Sequence, residues 1–263
     1  MGAGQIDVFG DCAWGMSRKP WRFAQTRLMS DERYTSQDYA ERHPNWHREH
    51  SAWKAGQIFE MLRRNQLDPS SVAEVGCGAG GILVELQQRL PTSVRFTGYD
   101  IAPAAMAMAR PMANERLEFR EADLLALETP PVDLLLTIDV AEHVQDYLGF
   151  LQALRPRARR HIIHLPLDLS LASCVKPARL QWAFESVGHL HYFTRETALQ
   201  AVTNAGYRVD DWSLTCVELD LPPSDAQRQR LRFLRRWGRR ISPAWTARLL
   251  GGFSVLILCS QTD

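Results

Sequence analysis

The sequence predicts a doubly wound α/β fold, and three observations carry that prediction. Strand-like apolar runs alternate with helical patterns between residues 72 and 165, the order that builds a parallel sheet covered on both faces. One of these runs, Val132–Ile138, is rich enough in apolar residues to be buried on both sides. Between the first strand and its helix stands a glycine-dense turn, Gly76-Cys77-Gly78-Ala79-Gly80-Gly81, at the strand end where open α/β sheets bind ligands.

The elements follow in order along the 263 residues. Residues 1–33 interleave Trp14, Trp21 and Phe23 with Arg18, Lys19, Arg22 and Arg27, the composition of an arm that packs over its own domain. A helix is expected over 34–43, capped by Thr35 or Ser36 and stopped by Pro44. A second runs from 45 or 46 to 65, with Trp53, Ile58, Phe59, Met61 and Leu62 as a partial apolar stripe. The first strand is 72–75 and its helix 80–90. The second strand, 94–99, leads to Asp100, and Pro103 opens a helix to about 112, where a missing N–H is harmless. Strands at 117–119 and 132–138 follow, the latter ending at Asp139; a helix is expected over 143–154 and a fifth strand over 158–165. After Pro166 the alternation lapses until Thr194, which caps a helix to 205 that Gly206 ends. A sixth strand over 207–219, a basic helix over 225–240 and a last strand over 253–259 close the chain. This divides into an arm and helical lid, residues 1–66, and a ligand-binding domain, residues 67–263, with a basic helical insertion at about 222–250.

Composition bounds the function. The formal net charge is +1, so no global field attracts nucleic acid or an anionic membrane. The five cysteines, Cys12, Cys77, Cys174, Cys216 and Cys259, form no C-x-x-C pair and read as reduced residues of a cytoplasmic protein. No basic-then-apolar leader and no run long enough to span a bilayer is present in the sequence.

The glycines fit two ligand cradles. Gly76, Gly78 and Gly81 satisfy the dinucleotide pattern G-x-G-x-x-G, a weak signal alone. Gly76, Gly78 and Gly80 preceded by Glu74 also satisfy E-x-G-x-G-x-G. A carboxylate two residues before the first glycine repels a pyrophosphate and suits a ligand carrying an ammonium and a sulfonium. The stretch resembles motif I of the class I S-adenosylmethionine-dependent methyltransferases. Two further runs, Asp139-Val140-Ala141-Glu142-His143-Val144 and Gly188-His189-Leu190-His191-Tyr192-Phe193-Thr194-Arg195-Glu196, resemble segments of methyltransferases related to the ubiquinone-biosynthesis O-methyltransferases. The resemblance covers about residues 50–215.

That resemblance implies a Rossmann-like class I methyltransferase fold: a seven-stranded, mostly parallel sheet with an antiparallel last strand, helices on both faces and an N-terminal helical lid. It implies a site for S-adenosylmethionine built from Glu74, Gly76, Cys77, Gly78, Gly80, Asp100, Ile101, Asp123, Leu124 and Asp139. Asp100 would accept from the ribose hydroxyls, Ile101 and Leu124 would pack on the adenine, and Asp123 would accept from its amino group or cap a helix. The lid supplies Tyr39, Trp46, His47, His50 and Trp53, and the irregular segment supplies Arg179, as acceptor contacts. Asp139, Glu142, His143 and His189 resemble the set that holds a divalent ion in small-RNA 2′-O-methyltransferases, so magnesium or manganese is a candidate second cofactor, one that would lower the pKa of an acceptor hydroxyl. Without a metal, the candidate general bases are His143, His189 and His191.

The function expected is methyl transfer to an oxygen or nitrogen of a small-molecule acceptor in specialised or cofactor biosynthesis. The rival acceptor is RNA or another polyanion, suggested by the arginines at 228, 230, 232, 235, 236, 239 and 240. A protein that binds S-adenosylmethionine without catalysis and a nicotinamide oxidoreductase are the rivals of other classes. Oligomeric state has no signature in the sequence.

Overall fold

The structure, a computed structural model, describes Trp46, residues 48–221 and residues 226–261, the last with side chains from 232 onward. The expected arm (1–33), the helix over 34–43, and the candidate contacts Tyr39 and His47 lie outside the described residues.

Seven strands form one sheet in the order β3-β2-β1-β4-β5-β7-β6. They are β1 (Ser71–Val75), β2 (Arg95–Asp100), β3 (Leu117–Glu121), β4 (Val132–Ile138), β5 (Ala158–Leu167), β6 (Tyr207–Thr215) and β7 (Phe253–Gln261). The first five are mutually parallel, and β7 runs antiparallel between β5 and β6. The sheet is therefore the seven-stranded, mostly parallel one expected, with its antiparallel last strand inserted at the edge.

Side-chain alternation sorts the core into two layers, because successive residues of a strand face opposite ways. Val72, Phe96, Leu134, Leu136, Ile162 and Leu256 face α1 (Ser51–Arg64) and α2 (Gly81–Arg89). Ile163, Leu165, Val255 and Ile257 face the opposite layer. Burying α1 through Ala55, Ile58, Met61 and Leu62 lays its first turn against the start of α2, so closely that a Cβ on Gly81 would meet Ser51. That contact sets α1 beside the glycine turn.

Two helices on the second layer start with side-chain caps. Asp146 accepts from Gly149 N at the start of α4 (Tyr147–Leu154), after α3 (Pro103–Ala109) in chain order. Thr194 accepts from Thr197 N at the start of α7 (Arg195–Asn204). Between them lie α5 (Leu171–Val175), opened by a Ser170–Ser173 capping box, and α6 (Ala178–Trp182).

Three expected boundaries are corrected, and one helix is added. His143 does not open a helix: Ala141–His143 is a single 3-10 turn, and α4 begins only after Asp146 supplies a cap. The segment 166–193 is not irregular throughout, because the Ser170–Ser173 box and Pro177 each start a helical turn. Strand β6 ends at Thr215 rather than 219. Its partner β7 begins at Phe253, after Gly251 and Gly252 in positive φ, so residues beyond Thr215 have no ladder and coil into α8 (Val217–Asp220). The basic helix α9 (Ala226–Ile241) is followed by a further helix, α10 (Pro243–Leu250), capped by Ser242.

Candidate active site

The glycine turn is shaped by three left-handed residues, Gly76, Gly78 and Gly80, at φ 68°, 53° and 74°. L side chains are strained there, and at two of the positions there is no space either. A Cβ on Gly76 would lie 2.5 Å from Val140 Cγ2, and one on Gly80 would overlap the Phe119 ring. Gly78 differs: a Cβ there would meet nothing within 4 Å. The open side of the turn is thus at Gly78, where ligand approach is unobstructed.

Asp100 ends β2 beside this opening. Its Oδ2 accepts from Gly78 N at 2.7 Å and its Oδ1 from Ala102 N at 2.9 Å. Burial raises its pKa, opposed by these amides. Each oxygen retains a lone pair for a further donor. Cys77 turns its side chain inward to Met106, Ala109 and Phe119, where burial pushes the thiol well above its ordinary range; only its backbone faces the turn. Ile101 is half-buried and Leu124 buried, while Asp123 lies exposed and caps a 3-10 turn by accepting from Leu125 N at 2.8 Å.

Beneath the turn the chain buries an unusual number of acids. Glu74 is 1% exposed, with Oε2 lacking any hydrogen-bond partner. Burial pushes its carboxyl up to about 8, Lys54 pulls the other way, and Asp100 and Asp139 add to the rise. An orphaned buried carboxylate beside a ligand opening is costly unless a cation completes it.

Asp139, at the end of β4, holds the centre. It is strained at φ 55° and joins two layers: Oδ2 pairs with Lys54 Nζ of α1 at 2.6 Å, and Oδ1 meets His164 Nδ1 of β5 at 2.5 Å. His164 Nε2 continues the chain to Thr215 Oγ1 of β6 at 2.9 Å. Burial works against the Asp139 carboxylate, but His164 and Lys54 outweigh it and hold the group well below the usual carboxylate range. Burial also works against the Lys54 ammonium, which Asp139, Glu74 and Glu142 hold above its ordinary value. Lys54, His164 and Thr215 were not legible as site residues. A lysine in a helical stripe reads as solvated, and a histidine within an apolar strand reads as core.

A second cluster lies one turn on. Glu142 is fully buried, and neither carboxylate oxygen has a hydrogen-bond partner. Burial, and then Asp139, hold its carboxyl well above the ordinary range. His143 places Nδ1 3.1 Å from Gly188 O and Nε2 3.9 Å from Glu142 Oε1. His189 places Nδ1 2.6 Å from Asp168 Oδ2, and its ring meets His143 edge-on at 5.0 Å. Ligand atoms of Glu142, His143 and His189 lie within 4.8 Å of one another. Of the four expected metal ligands, three converge, and Asp139 stands apart with both oxygens engaged by Lys54 and His164. His191 is also elsewhere: its Nε2 approaches the carbonyls of Val144 and Gln145, and its ring packs on Tyr147.

The expected acceptor contacts are dispersed. Trp53 lines a recess with Lys54, Gln57, Ile138 and His164, and its indole donates to Asp220 Oδ2 at 3.1 Å. Trp46 and His50 are half-buried at the entry to α1. Arg179 faces away, donating to Leu250 O of α10 at 3.4 Å.

Comparison with known proteins agrees with this geometry. Trans-aconitate 2-methyltransferase of Streptomyces coelicolor is 30% identical over 199 residues, which are 67% of this chain and 64% of that one. The chain thus spans somewhat less than two thirds of that relative's length. Among solved structures, an S-adenosylmethionine-dependent methyltransferase from Thiobacillus denitrificans, in complex with S-adenosylhomocysteine, superposes with a TM-score of 0.56 at 15% identity, over 86% of this chain and 99% of that one. Magnesium protoporphyrin IX methyltransferase from Synechocystis gives 0.54 at 14% identity, over 86% of each chain. Residues 32–211 match the pattern of the methyltransferase domain, and with the sheet order and glycine turn described above, the chain belongs to the class I S-adenosylmethionine-dependent methyltransferase family.

Proposed function

We propose that the protein transfers a methyl group from S-adenosylmethionine to an oxygen or nitrogen of a small-molecule acceptor, in specialised or cofactor biosynthesis. The observation that carries this reading is the pairing of an open glycine turn at Gly78 with the orphaned buried carboxylate Glu74. The turn admits the cofactor against bare backbone, Asp100 accepts from the ribose, Ile101 and Leu124 enclose the adenine, and Glu74 offers a partner to the methionine ammonium. The relatives named above act on small organic acids and a porphyrin by their names, which supports a small acceptor. The two sequence segments around His143 and His189 support the narrower kinship with ubiquinone-biosynthesis O-methyltransferases. Residues 1–66 serve as the lid, with α1 as its described part. The chemistry is an in-line displacement at a charged sulfonium, so holding the acceptor atom in line supplies most of the acceleration.

The test is calorimetric titration with S-adenosylhomocysteine in two buffers of different ionisation enthalpy. Glu74 is largely protonated at neutral pH in the empty protein, its pKa being about 8. An ammonium placed beside it favours the carboxylate, so binding should release a proton near pH 7, and affinity should rise from pH 6 toward 8. Glu74→Gln should abolish that proton release. No binding of S-adenosylhomocysteine to folded protein would sink the reading, and NAD binding instead would assign the turn to a dinucleotide.

A second cofactor is a further proposal, favoured by one observation. Glu142, His143 and His189 converge, with the His189 Nδ1 beside a carboxylate as metal-bound imidazoles commonly are. These three residues would hold magnesium or manganese, which would acidify an acceptor hydroxyl. Manganese titrated into the protein and followed by electron paramagnetic resonance should bind at a single site that Glu142→Gln removes. An unchanged spectrum would remove the metal from the reading and leave His143 or His189 as the base. Against the RNA alternative, Arg235 and Arg239 of the basic helix pair with Glu218 and Asp220 rather than lining a groove.

A further inference from the structure

The basic helix α9 is mounted the wrong way round for a helix that covers a core. Amphipathic surface helices turn their apolar stripe inward. Among the residues described with side chains, the side that meets the domain carries arginines: Arg235 is buried, Arg232 half-buried and Arg239 exposed but paired. Arg235 is 4% exposed, pairs with Glu218 and donates to Leu250 O. Arg239 pairs with Asp220 at 2.8 Å, and Arg232 donates to Leu219 O at 3.3 Å. Positions 232, 235 and 239 share one side of the helix, as i, i+3 and i+7 must. The other side, at i, i+4 and i+8, is Phe233, Trp237 and Ile241, which are 71%, 65% and 69% exposed, with Leu234 beside them at 53%.

The next helix also exposes large apolar residues. Trp245 and Leu249 of α10, one turn apart, are 60% and 45% exposed. The two helices pack on one another through Gly238, where a Cβ would collide with Thr246, so the exposed apolar residues of both are held in a fixed relation. Six large apolar side chains together exceed the scattered exposure that soluble surfaces tolerate. Arg236 and Arg240 are exposed along the edge of the patch, and no Asp or Glu occurs between Asp225 and Asp263. The composition is that of a helix lying in a lipid interface: aromatic and aliphatic residues on one side, arginines flanking them, and no acid within either helix.

We infer that the exposed face of α9 and α10 docks the protein onto an anionic phospholipid surface, with Phe233, Trp237, Ile241 and Trp245 entering the headgroup region and Arg236 and Arg240 meeting lipid phosphates. No helix among the described residues is long and apolar enough to cross a membrane, so the contact is peripheral. It is independent of the methyl-transfer reading, because no residue of the patch belongs to the glycine turn or the acid cluster.

The full chain should co-sediment with vesicles of phosphatidylcholine containing phosphatidylglycerol and much less with phosphatidylcholine alone, with binding falling as salt rises. Trp237→Glu should lose vesicle binding, and the double variant Arg236→Glu with Arg240→Glu should weaken it at least about tenfold. Both changes are exposed, so far-ultraviolet circular dichroism, thermal unfolding and S-adenosylhomocysteine binding should match the parent. Indole fluorescence should shift to the blue on vesicle addition, lose part of that shift in Trp237→Phe and most of it when Trp245→Phe is added. Equal binding to neutral and anionic vesicles, or binding that survives Trp237→Glu, would overturn the proposal. So would a lipid-free dimer that Trp237→Glu converts to monomer, which would make a second copy the occupant.

Discussion

Asp139→Asn should lower the stability of the empty protein by about 2–3 kcal/mol, a fall in Tm of about 4–10 °C for a chain of this size. The reason lies in what Asp139 joins. Its two oxygens hold Lys54 of α1 at 2.6 Å and His164 of β5 at 2.5 Å. Asparagine keeps the size and tolerates the left-handed backbone at φ 55°, so the change isolates the charge. It leaves the Lys54 ammonium in a pocket that was arranged around a carboxylate. Asp139 and Lys54 retain 28% and 17% side-chain exposure, and water reaching them places the loss below the 3–5 kcal/mol typical of a fully buried pair. Chemical unfolding at neutral pH measures it. If the pair is the cause, adding Lys54→Met to Asp139→Asn should recover part of the loss, and the double-mutant cycle should give a coupling of at least about 1 kcal/mol. An Asp139→Asn protein as stable as its parent would mean that the salt bridge contributes nothing and that the other contacts of α1 hold it.

The second large effect separates two glycines that look alike in the sequence. Gly80→Ala should destabilise the fold by about 2–4 kcal/mol, because the methyl group would overlap the Phe119 ring and the backbone stays at φ 74°. Gly78→Ala carries the backbone strain without the collision, since nothing lies within 4 Å of the added methyl, and should cost only about 1 kcal/mol. Its methyl instead occupies the open side of the turn, and S-adenosylhomocysteine affinity should fall at least about tenfold, or 1.4 kcal/mol. Thermal unfolding and calorimetry on the two variants test this. Gly78→Ala with parental affinity would place the cofactor away from the open side.

Much of this architecture is visible in the residues because local and global requirements coincide there. Val132–Ile138 could be recognised from its apolar run, since a strand covered on both faces has no polar side to show. Thr194 announced α7 because a hydroxyl at that position satisfies otherwise unpaired amides. The start of α4 was misplaced because the helical pattern extends back to His143, whereas Asp146 decides where the helix starts. The end of β6 was misplaced because a strand ends where its partner does, and Phe253 lies 38 residues from Thr215 in the chain, a separation no local pattern encodes.

The sequence by itself determined the strand and helix alternation, the glycine turn and the acids at strand ends, since each depends on residues adjacent in the chain. Tertiary structure alone decided which acids meet. It joined Lys54, Asp139, His164 and Thr215, from four elements, into one hydrogen-bonded line. It brought His189 to Glu142 and His143 while tying His191 to the backbone. It also turned the apolar face of α9 outward, because Glu218 and Asp220 draw Arg235 and Arg239 toward the domain. Burial makes a carboxylate seek a cation at whatever chain distance the fold supplies one.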